Sequence, residues 1–381
     1  MIAALMVLAS AQAYDPGSPT AAEQLVLEMI NRARANPTAE GTRLGIIIAE
    51  GLSPADAALL APKPPLTFNS ILLGVARAHS LDMYTRSFFA HTNPDGDDPF
   101  ERMTNAGYIW SGAGENIAAG APDSFYPAGV LEDVLMIDAG YPGRGHRKNL
   151  LDIYASTPFR EIGIGYYSNP IQNASGLEAF LTQDFGRRNA VGPFLLGVVI
   201  NDANVNDFYD VGEGISGVTI SHDRGASFGL TGSAGGYACL LPTTTSLVVT
   251  VTPSGGGVPW GAAIRKKRTL TGENLKVDFK TSEAVDTDGD GMPDTWETAH
   301  VLDLNDPADA PLDADADTFT NLEEYQFGSD PQNASSTPSN PVPPPPPPPP
   351  GGGSSGGGGC GALGIGVLLP VLLGAWRRRR R

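Results

Sequence analysis

Cysteine is nearly absent from this chain, which has two cysteines among 381 residues. Cys239 and Cys360 lie in different parts of the sequence, so their spacing defines no disulfide framework. Stability must therefore come from packing, with bound metal as a further source. The length exceeds that of a usual single domain and predicts two or three compact units.

Basic charge is also scarce, with 25 Lys and Arg residues against 42 Asp and Glu and a net charge of −17. This balance excludes nucleic acid as a partner, because a phosphate backbone requires a basic surface. The acidic residues are concentrated in residues 286–330. Such a segment contains either cation ligands or a solvated spacer, and the spacing of its carboxylates favours cation ligands.

Several catalytic motifs are missing as well. The sequence has no nucleophile elbow, no His-Glu-x-x-His and no P-loop. Gly112-Ala113-Gly114 lacks the third glycine of a dinucleotide-binding loop. These absences exclude the corresponding mechanisms and leave open whether the protein is an enzyme.

Apolar periodicity predicts a mixed α and β structure in the first half of the chain. Thr20 and Glu23 form a capping box before a helical pattern that Asn36-Pro37 ends. Further helical patterns begin near Asn69 and cover residues 128–138, whereas residues 162–167 and 180–185 have the character of strands.

Six short motifs follow one another between residues 20 and 186. They are Ala78-His79-Ser80-Leu81-Asp82-Met83, His91-Thr92-Asn93-Pro94-Asp95-Gly96, Glu115-Asn116-Ile117, Gly145-His146-Arg147-Lys148-Asn149-Leu150, Glu161-Ile162-Gly163-Ile164-Gly165-Tyr166 and Thr182-Gln183-Asp184-Phe185-Gly186. In this order they resemble the CAP superfamily, which includes cysteine-rich secretory proteins, antigen 5 and pathogenesis-related proteins. The bacterial SCP-like branch is the nearer match. The resemblance implies an α+β fold, an αβα sandwich, over residues 18–190.

The resemblance also implies a polar cleft that contains His91, Glu115 and His146. Glu161 is our choice for a fourth acidic residue, with Asp138 and Glu132 as rivals. Neutral imidazoles bind zinc, and a nearby carboxylate can orient a ring or hold a water molecule. The cleft is therefore either a zinc site or an unoccupied polar site. The alternative is that His91 and His146 have a structural role and only stabilise loops by hydrogen bonds.

Other aromatic and histidine residues near these motifs have a simpler interpretation. His79 lies on the apolar face of its helix and is expected to be structural. Tyr108, Trp110 and Tyr141 are expected to pack rather than to contact a ligand. Residues 136–144 replace the Trp and short polar stretch that usually precede Gly-His-Arg in bacterial relatives, which predicts a reshaped cleft entrance.

From about residue 193 the helical periodicity disappears and short strand-like segments follow. Residues 193–281 are predicted to form a small β-sandwich. Residues 197–202, Gly-Val-Val-Ile-Asn-Asp, are similar to the opening of the B-type repeats of bacterial surface adhesins.

Residues 284–332 contain two candidate calcium loops. The first has the complete pattern of a twelve-residue loop, with ligands Asp286, Asp288, Asp290, Asp294 and Glu297 and with Gly291 at position 6. The second repeats the spacing with Asp313, Asp315, Asp317, Asn321 and Glu324. It has Thr318 where the sharp turn favours glycine, so the second site is the weaker prediction. The region resembles the thrombospondin type 3 repeats.

Both ends of the chain suggest export. Residues 1–13 form an apolar run that ends in Ala-Gln-Ala, which predicts a signal peptide. Residues 333–359 are a linker rich in Pro and Gly. Residues 360–381 resemble a C-terminal sorting tail, with an apolar segment at 361–376 and five terminal arginines. The tail is either cut during sorting or retained as a transmembrane anchor, so the protein is expected at the cell surface, in association with the outer membrane or released to the medium.

Three functions are compatible with this organisation. The first is a surface-anchored binding module for a lipid, a peptide or a surface glycan, held on a calcium-stabilised stalk. The second is an extracellular hydrolase that uses the same cleft, with the histidines as metal ligands or as acid and base. The third is a purely structural adhesive or spacer.

Overall fold

A computed structural model describes residues 14–120, 127–154, 158–261 and 264–338, together with the backbone of residues 371–380. The chain divides into two compact units. The first consists mainly of Pro19–Val191, to which residues 204–211 also belong. The second contains Gly192–Ala203 and residues 212–338. The predicted signal peptide, Cys360 and residues 361–370 lie outside the described residues.

The first unit is a mixed sheet with helices. Its helices are α1 (Ala21–Ala35), α2 (Pro37–Leu44), α3 (Pro54–Ala57), α4 (Ser70–Thr85), α5 (Pro99–Asn105), α6 (Ala128–Ile137) and α7 (Gly145–Leu150). Its strands are β1 (Thr67–Phe68), β2 (Gly112–Gly120), β3 (Glu161–Ser168) and β4 (Ala179–Arg187). The sheet order is β1-β3-β4-β2, in which β1 and β3 are parallel and the other pairs are antiparallel. Residues 371–380, including the end of the predicted apolar segment, form a further strand antiparallel to β2.

Local signals fix the ends of the main helices. The hydroxyl of Thr20 accepts a hydrogen bond from the Glu23 N–H and the Glu23 carboxylate accepts one from the Thr20 N–H, so the predicted capping box is confirmed. The side chain of Asn69 accepts hydrogen bonds from the first turn of α4. These caps determine where α1 and α4 enter the fold.

Two glycines of β3 allow α4 to lie directly on the sheet. A Cβ atom at Gly163 would come within 2.0 Å of the Leu72 backbone, and one at Gly165 within 2.2 Å of the Ala76 backbone. The opposite face of the sheet shares an apolar core with α1 and α6, which includes Ile30 of α1. Helices therefore cover both faces, in agreement with the expected αβα arrangement.

The second unit begins with eight short strands among its described residues. They are β5 (Phe194–Ile200), β6 (Val218–His222), β7 (Phe228–Leu230), β8 (Gly236–Leu240), β9 (Thr245–Gly255), β10 (Lys266–Thr271), β11 (Leu275–Lys276) and β12 (Phe279–Lys280). One sheet has the order β10-β9-β6-β7, and in the other β5 pairs with β8, β11 and β12. Side chains from both sheets share one buried core, which contains the unpaired Cys239.

Two short helices follow, α8 (Asp294–Ala299) and α9 (Asn321–Phe327). They share a small apolar cluster built on Met292, Ala310 and Tyr325. Each helix begins inside one of the predicted calcium loops. In the described part of the chain, no helix is long and apolar enough to cross a membrane.

Candidate functional site: two histidine–carboxylate pairs and two acidic loops

His91 lies in the loop after α4 and contacts a buried carboxylate on β2. Its Nδ1 atom is 2.6 Å from Oε1 of Glu115, and Arg102 of α5 donates to the other Glu115 oxygen at 2.5 Å. Arg102 also donates to the backbone oxygen of His91 at 2.5 Å. One arginine therefore fixes both members of the pair.

Glu115 is ionised although it is fully buried. Burial alone would raise the pKa of its carboxyl group, but the charge of Arg102 and the hydrogen bond to His91 outweigh burial and hold the pKa at about 2. The site thus keeps a buried ion pair between Glu115 and Arg102.

His79 supports the loop that carries His91. Its Nε2 atom is 3.0 Å from the backbone oxygen of Ala90, the residue before His91. Burial lowers the pKa of His79 to about 4, so the ring is neutral and its Nε2–H donates to that oxygen. His79 is a structural histidine, as expected, and it positions the loop of the candidate site.

Asp184 of β4 is the register partner of Glu115 on the adjacent strand, so both side chains lie on the α4 face of the sheet. Asp184 is fully buried. Burial and the neighbouring Glu115 charge raise the pKa of Asp184 well above its usual range. A protonated carboxyl group therefore lies beside an ionised one.

His146 forms the second pair, with Asp138. Its Nδ1 atom is 2.7 Å from Oδ1 of Asp138, and its backbone N–H donates to Oδ2 at 3.0 Å. Both side chains are fully buried, and within the described residues the Nε2 atom of His146 has no hydrogen-bond partner. Tyr141 packs against the imidazole with ring centroids 4.6 Å apart, which fits its expected packing role.

A buried amide network connects the two pairs through β2. The side-chain amide of Asn116 donates to the backbone oxygen of His146 at 3.2 Å and to Gln183 at 3.1 Å. Asn149 of α7 donates to the Asn116 side chain at 2.8 Å and to the backbone oxygen of Glu115 at 3.3 Å. Adjacent residues of β2 therefore contact both histidine groups.

The three candidates for the fourth acidic residue have different surroundings. Glu161 accepts hydrogen bonds from Arg188 at 2.6 and 2.9 Å and also from Asn69 and Tyr108. Asp138 holds His146, as described above. Glu132 of α6 accepts a hydrogen bond from Gln183, and burial raises the pKa of Glu132 to about 8. Asp138 and Glu132 are thus connected to the His146 side of the amide network.

Three sets of donor atoms in the described residues are close enough to share one metal ion, each within 4.8 Å. They are Asp286, Asp288 and Asp290; Asp290, Glu297 and Asp309; and Asp313, Asp315 and Asp317. All three sets lie in the predicted calcium region. His91 and His146 belong to none of them, so zinc binding in the CAP-like cleft stays a prediction.

The first acidic loop folds around Asp286, whose two oxygens accept hydrogen bonds from the N–H groups of Gly289 and Gly291. The Glu297 side chain is fully buried, and neither carboxylate oxygen has a hydrogen-bond partner within the described structure. Asp294 instead accepts hydrogen bonds from the backbone and hydroxyl of Thr287, at 2.7 and 2.6 Å.

The second loop adopts the same backbone despite Thr318. Gly289 and Gly291 have φ values of 78° and 101°, and at the equivalent positions Ala316 and Thr318 have 65° and 87°. The left-handed conformation strains a β-branched residue. Thr318 therefore makes the sharp turn that position 6 of a calcium loop requires, at a cost in free energy.

Two contacts of the candidate site were absent from the sequence-based prediction. Arg102 has no distinguishing local pattern, and only the fold brings it to Glu115. Asp184 lies in a motif that contributed to the resemblance, but its pairing with Glu115 becomes evident only from the register of β2 and β4.

Comparison with known proteins finds a family to which part of the first unit is similar. Residues 27–185 match the model of CAP, the cysteine-rich secretory protein family. The uncharacterized protein YkwD of Bacillus subtilis (strain 168) is 36% identical over 102 residues, which are 27% of this chain and 35% of that protein. This chain thus spans about a third of the relative. Residues 27–185 are thus similar to the CAP domain, which is also called SCP.

A solved structure is also similar to part of the chain. It is an extracellular protein containing a SCP domain from Bacillus anthracis strain Ames, with 25% sequence identity and a TM-score of 0.26. The match covers 38% of this chain and 43% of the other.

Proposed function

We propose that this chain is an exported binding protein, in which the CAP domain presents a cleft built on His91, Glu115, His146 and Asp138. The main support is that each imidazole has its Nδ1 atom held by a fully buried carboxylate. Burying two ionisable pairs is expensive compared with an apolar core of the same size. Such a cost is typical of a site that needs oriented rings rather than of simple packing.

The cleft binds an extracellular lipid, peptide or surface glycan. The apolar N-terminal run of this chain, with the pattern of a signal peptide, supports this setting. The C-terminal tail attaches the protein to the cell surface or the outer membrane before, or without, its processing.

The acidic loops of the second unit bind calcium and stiffen the segment between the β-strands and the linker. Glu297 supports this role, because a bound cation would stabilise a fully buried carboxylate that has no hydrogen-bond partner within the described residues. Oxygen ligands from alternating residues fit the coordination sphere of calcium.

A metal-assisted hydrolase is the second candidate function. Zinc-ligating histidines commonly donate their second ring N–H to a carboxylate, and both histidine pairs have this arrangement. A zinc ion held by the histidines would supply a Lewis acid. His146 would present Nε2 to it, Asp138 would orient that ring, and Asp184 would offer a proton beside Glu115.

Binding of the calcium-loaded full chain to defined probes tests the proposal. We would apply it to a glycan array, a peptide array and phosphatidylcholine vesicles, beside His146→Ala and the control His222→Ala in β6. The proposed cleft would be supported if the wild type and His222→Ala both bind one of these probes and His146→Ala does not. Equal retention by His146→Ala and the wild type would contradict it.

Zinc titration and proteolysis of fluorescent casein distinguish the hydrolase. Stoichiometric zinc binding and casein cleavage that both disappear in His91→Ala and His146→Ala would favour the second candidate. Ligand retention without zinc binding or cleavage would favour the binding module.

A further inference from the structure

The calcium region contains the same unit twice, with Asp313 27 positions after Asp286. The two loops also share their internal hydrogen bonds. The N–H of Gly291 donates to Asp286 at 3.1 Å, and the N–H of Thr318 donates to Asp313 at 2.9 Å. The correspondence is therefore one of backbone structure as well as of residue spacing.

The equivalence continues beyond the twelve-residue loops. The N–H of Asp303 donates to the Asp309 side chain at 2.9 Å, and the N–H of Asp330 donates to the Ser336 hydroxyl at 3.1 Å. Asp309 and Ser336 are again 27 residues apart, and each follows the last glutamate of its loop by 12 residues. Asp309 and Ser336 thus occupy equivalent places in the two repeats.

Asp309 is brought to the first loop by this fold. Its carboxylate lies within 4.8 Å of the ligand atoms of Asp290 and Glu297. One oxygen of Asp309 accepts a hydrogen bond from the Asp303 N–H. The other oxygen is buried and has no hydrogen-bond partner in the described structure. The Glu297 carboxyl group beside it is also buried and unpartnered in the described structure, so a cation between the two groups would give ligands to oxygens that otherwise lack a partner.

We propose that Asp309 is a ligand of the calcium ion in the first loop, and that Ser336 gives the second site one carboxylate fewer at the equivalent position. Ligand charge count tunes calcium affinity, so the first site binds calcium more tightly than the second. Asp294 acts instead as a positioning residue that holds Thr287. The inference rests on the proposed calcium role of this region.

Calcium titration calorimetry of the full chain, after removal of metal with EGTA, tests this assignment. Asp309→Ser should weaken the tighter site at least tenfold, and Ser336→Asp should tighten the weaker site. Asp306→Ser is the matched control, because Asp306 lies exposed in the same segment and should change neither dissociation constant more than twofold.

Melting temperatures in EGTA and in calcium separate lost binding from a damaged fold. The calcium-induced rise should shrink in Asp309→Ser, whatever its melting temperature in EGTA. The assignment would be overturned if Asp309→Ser kept the tighter calcium site and the full calcium-induced rise in melting temperature. If the wild-type chain does not bind calcium, the proposed calcium role itself is wrong. If calcium binding is the same in Asp309→Ser as in the wild type, only this inference is wrong.

Discussion

The carboxylate of Asp138 holds His146 at two points, through the ring Nδ1 atom at 2.7 Å and the backbone N–H at 3.0 Å. Asp138 can do so because it ends α6 in the left-handed conformation, with φ of 53°, and so turns the chain towards α7. The pair fixes both the start of α7 and the orientation of the imidazole. Because a carboxylate accepts at Nδ1, the neutral ring carries its proton there.

Asp138→Asn should change the tautomer of His146. The amide can still accept from the backbone N–H, but its second atom no longer accepts from Nδ1, so the proton should move to Nε2. Nitrogen chemical shifts of the imidazole in NMR spectra report the tautomer directly. Asp82→Asn, in a surface pair with Arg86, is the control. An unchanged tautomer in Asp138→Asn would show that Asp138 does not orient the ring.

Glu132 should make the first unit less stable as pH rises. Burial first, and then the charges of Asp133 and Glu40, raise the pKa of Glu132 to about 8. Between pH 4.5 and 8 the folded state keeps a proton that the unfolded state has lost, so the free energy of unfolding falls by up to about 1.4 kcal/mol per pH unit. Glu132→Gln should remove this part of the dependence.

Urea unfolding at pH 5 and pH 8, followed by circular dichroism, measures the effect of Glu132. The half-buried Glu178→Gln should keep the wild-type dependence. Equal pH dependence in Glu132→Gln and the wild type would contradict the raised pKa.

Glu115 should show the opposite behaviour, because its pKa is held at about 2. Its contribution to stability is present above pH 4.5 and is lost as pH falls towards 2. Glu115→Gln leaves the Arg102 charge without its buried partner and should cost roughly 3 kcal/mol at pH 7. The difference from the wild type should shrink at pH 3 in urea unfolding.

Glu101→Gln is the control for Glu115, because glutamine preserves the capping box of α5. It should remain close to the wild type at both pH values. A Glu115→Gln protein as stable as the wild type at pH 7 would show that the charged pair is not needed for the fold.

Thr318→Gly should stabilise the second acidic loop by about 1 kcal/mol, because it removes a left-handed conformation, φ of 87°, from a β-branched residue. Melting temperature in EGTA measures the gain without calcium. Ala308→Gly, outside the left-handed region, should lower it instead. A lower melting temperature in Thr318→Gly would mean that Thr318 makes contacts worth more than its strain.

Local chemistry in the sequence predicted much of the fold. Thr20, Glu23 and Asn69 act on backbone groups within three residues, so the starts of α1 and α4 can be read from their neighbours. The match of residues 27–185 to the CAP model agrees with the resemblance carried by the six motifs.

The contacts of the candidate site could not be predicted in the same way. Asp138 contacts His146 because Asp138 itself has a left-handed conformation, in the unusual segment 136–144. Arg102 of α5 contacts Glu115 of β2, and only the tertiary fold brings these two elements together. The conformation of Thr318 is set by the hydrogen bonds of its loop against its own preference. Each of these features depends on tertiary structure, which outweighs local propensity.

The central claim is that His91 and His146 serve one binding cleft. It is tested most directly by dissociation constants for the probe that the wild-type chain retains, measured by surface plasmon resonance with His91→Ala, His146→Ala and the double variant. If both rings contact one ligand, we predict that each single change weakens binding at least tenfold and that the double variant loses less than the sum of the two. Unchanged binding in either single variant would contradict the account.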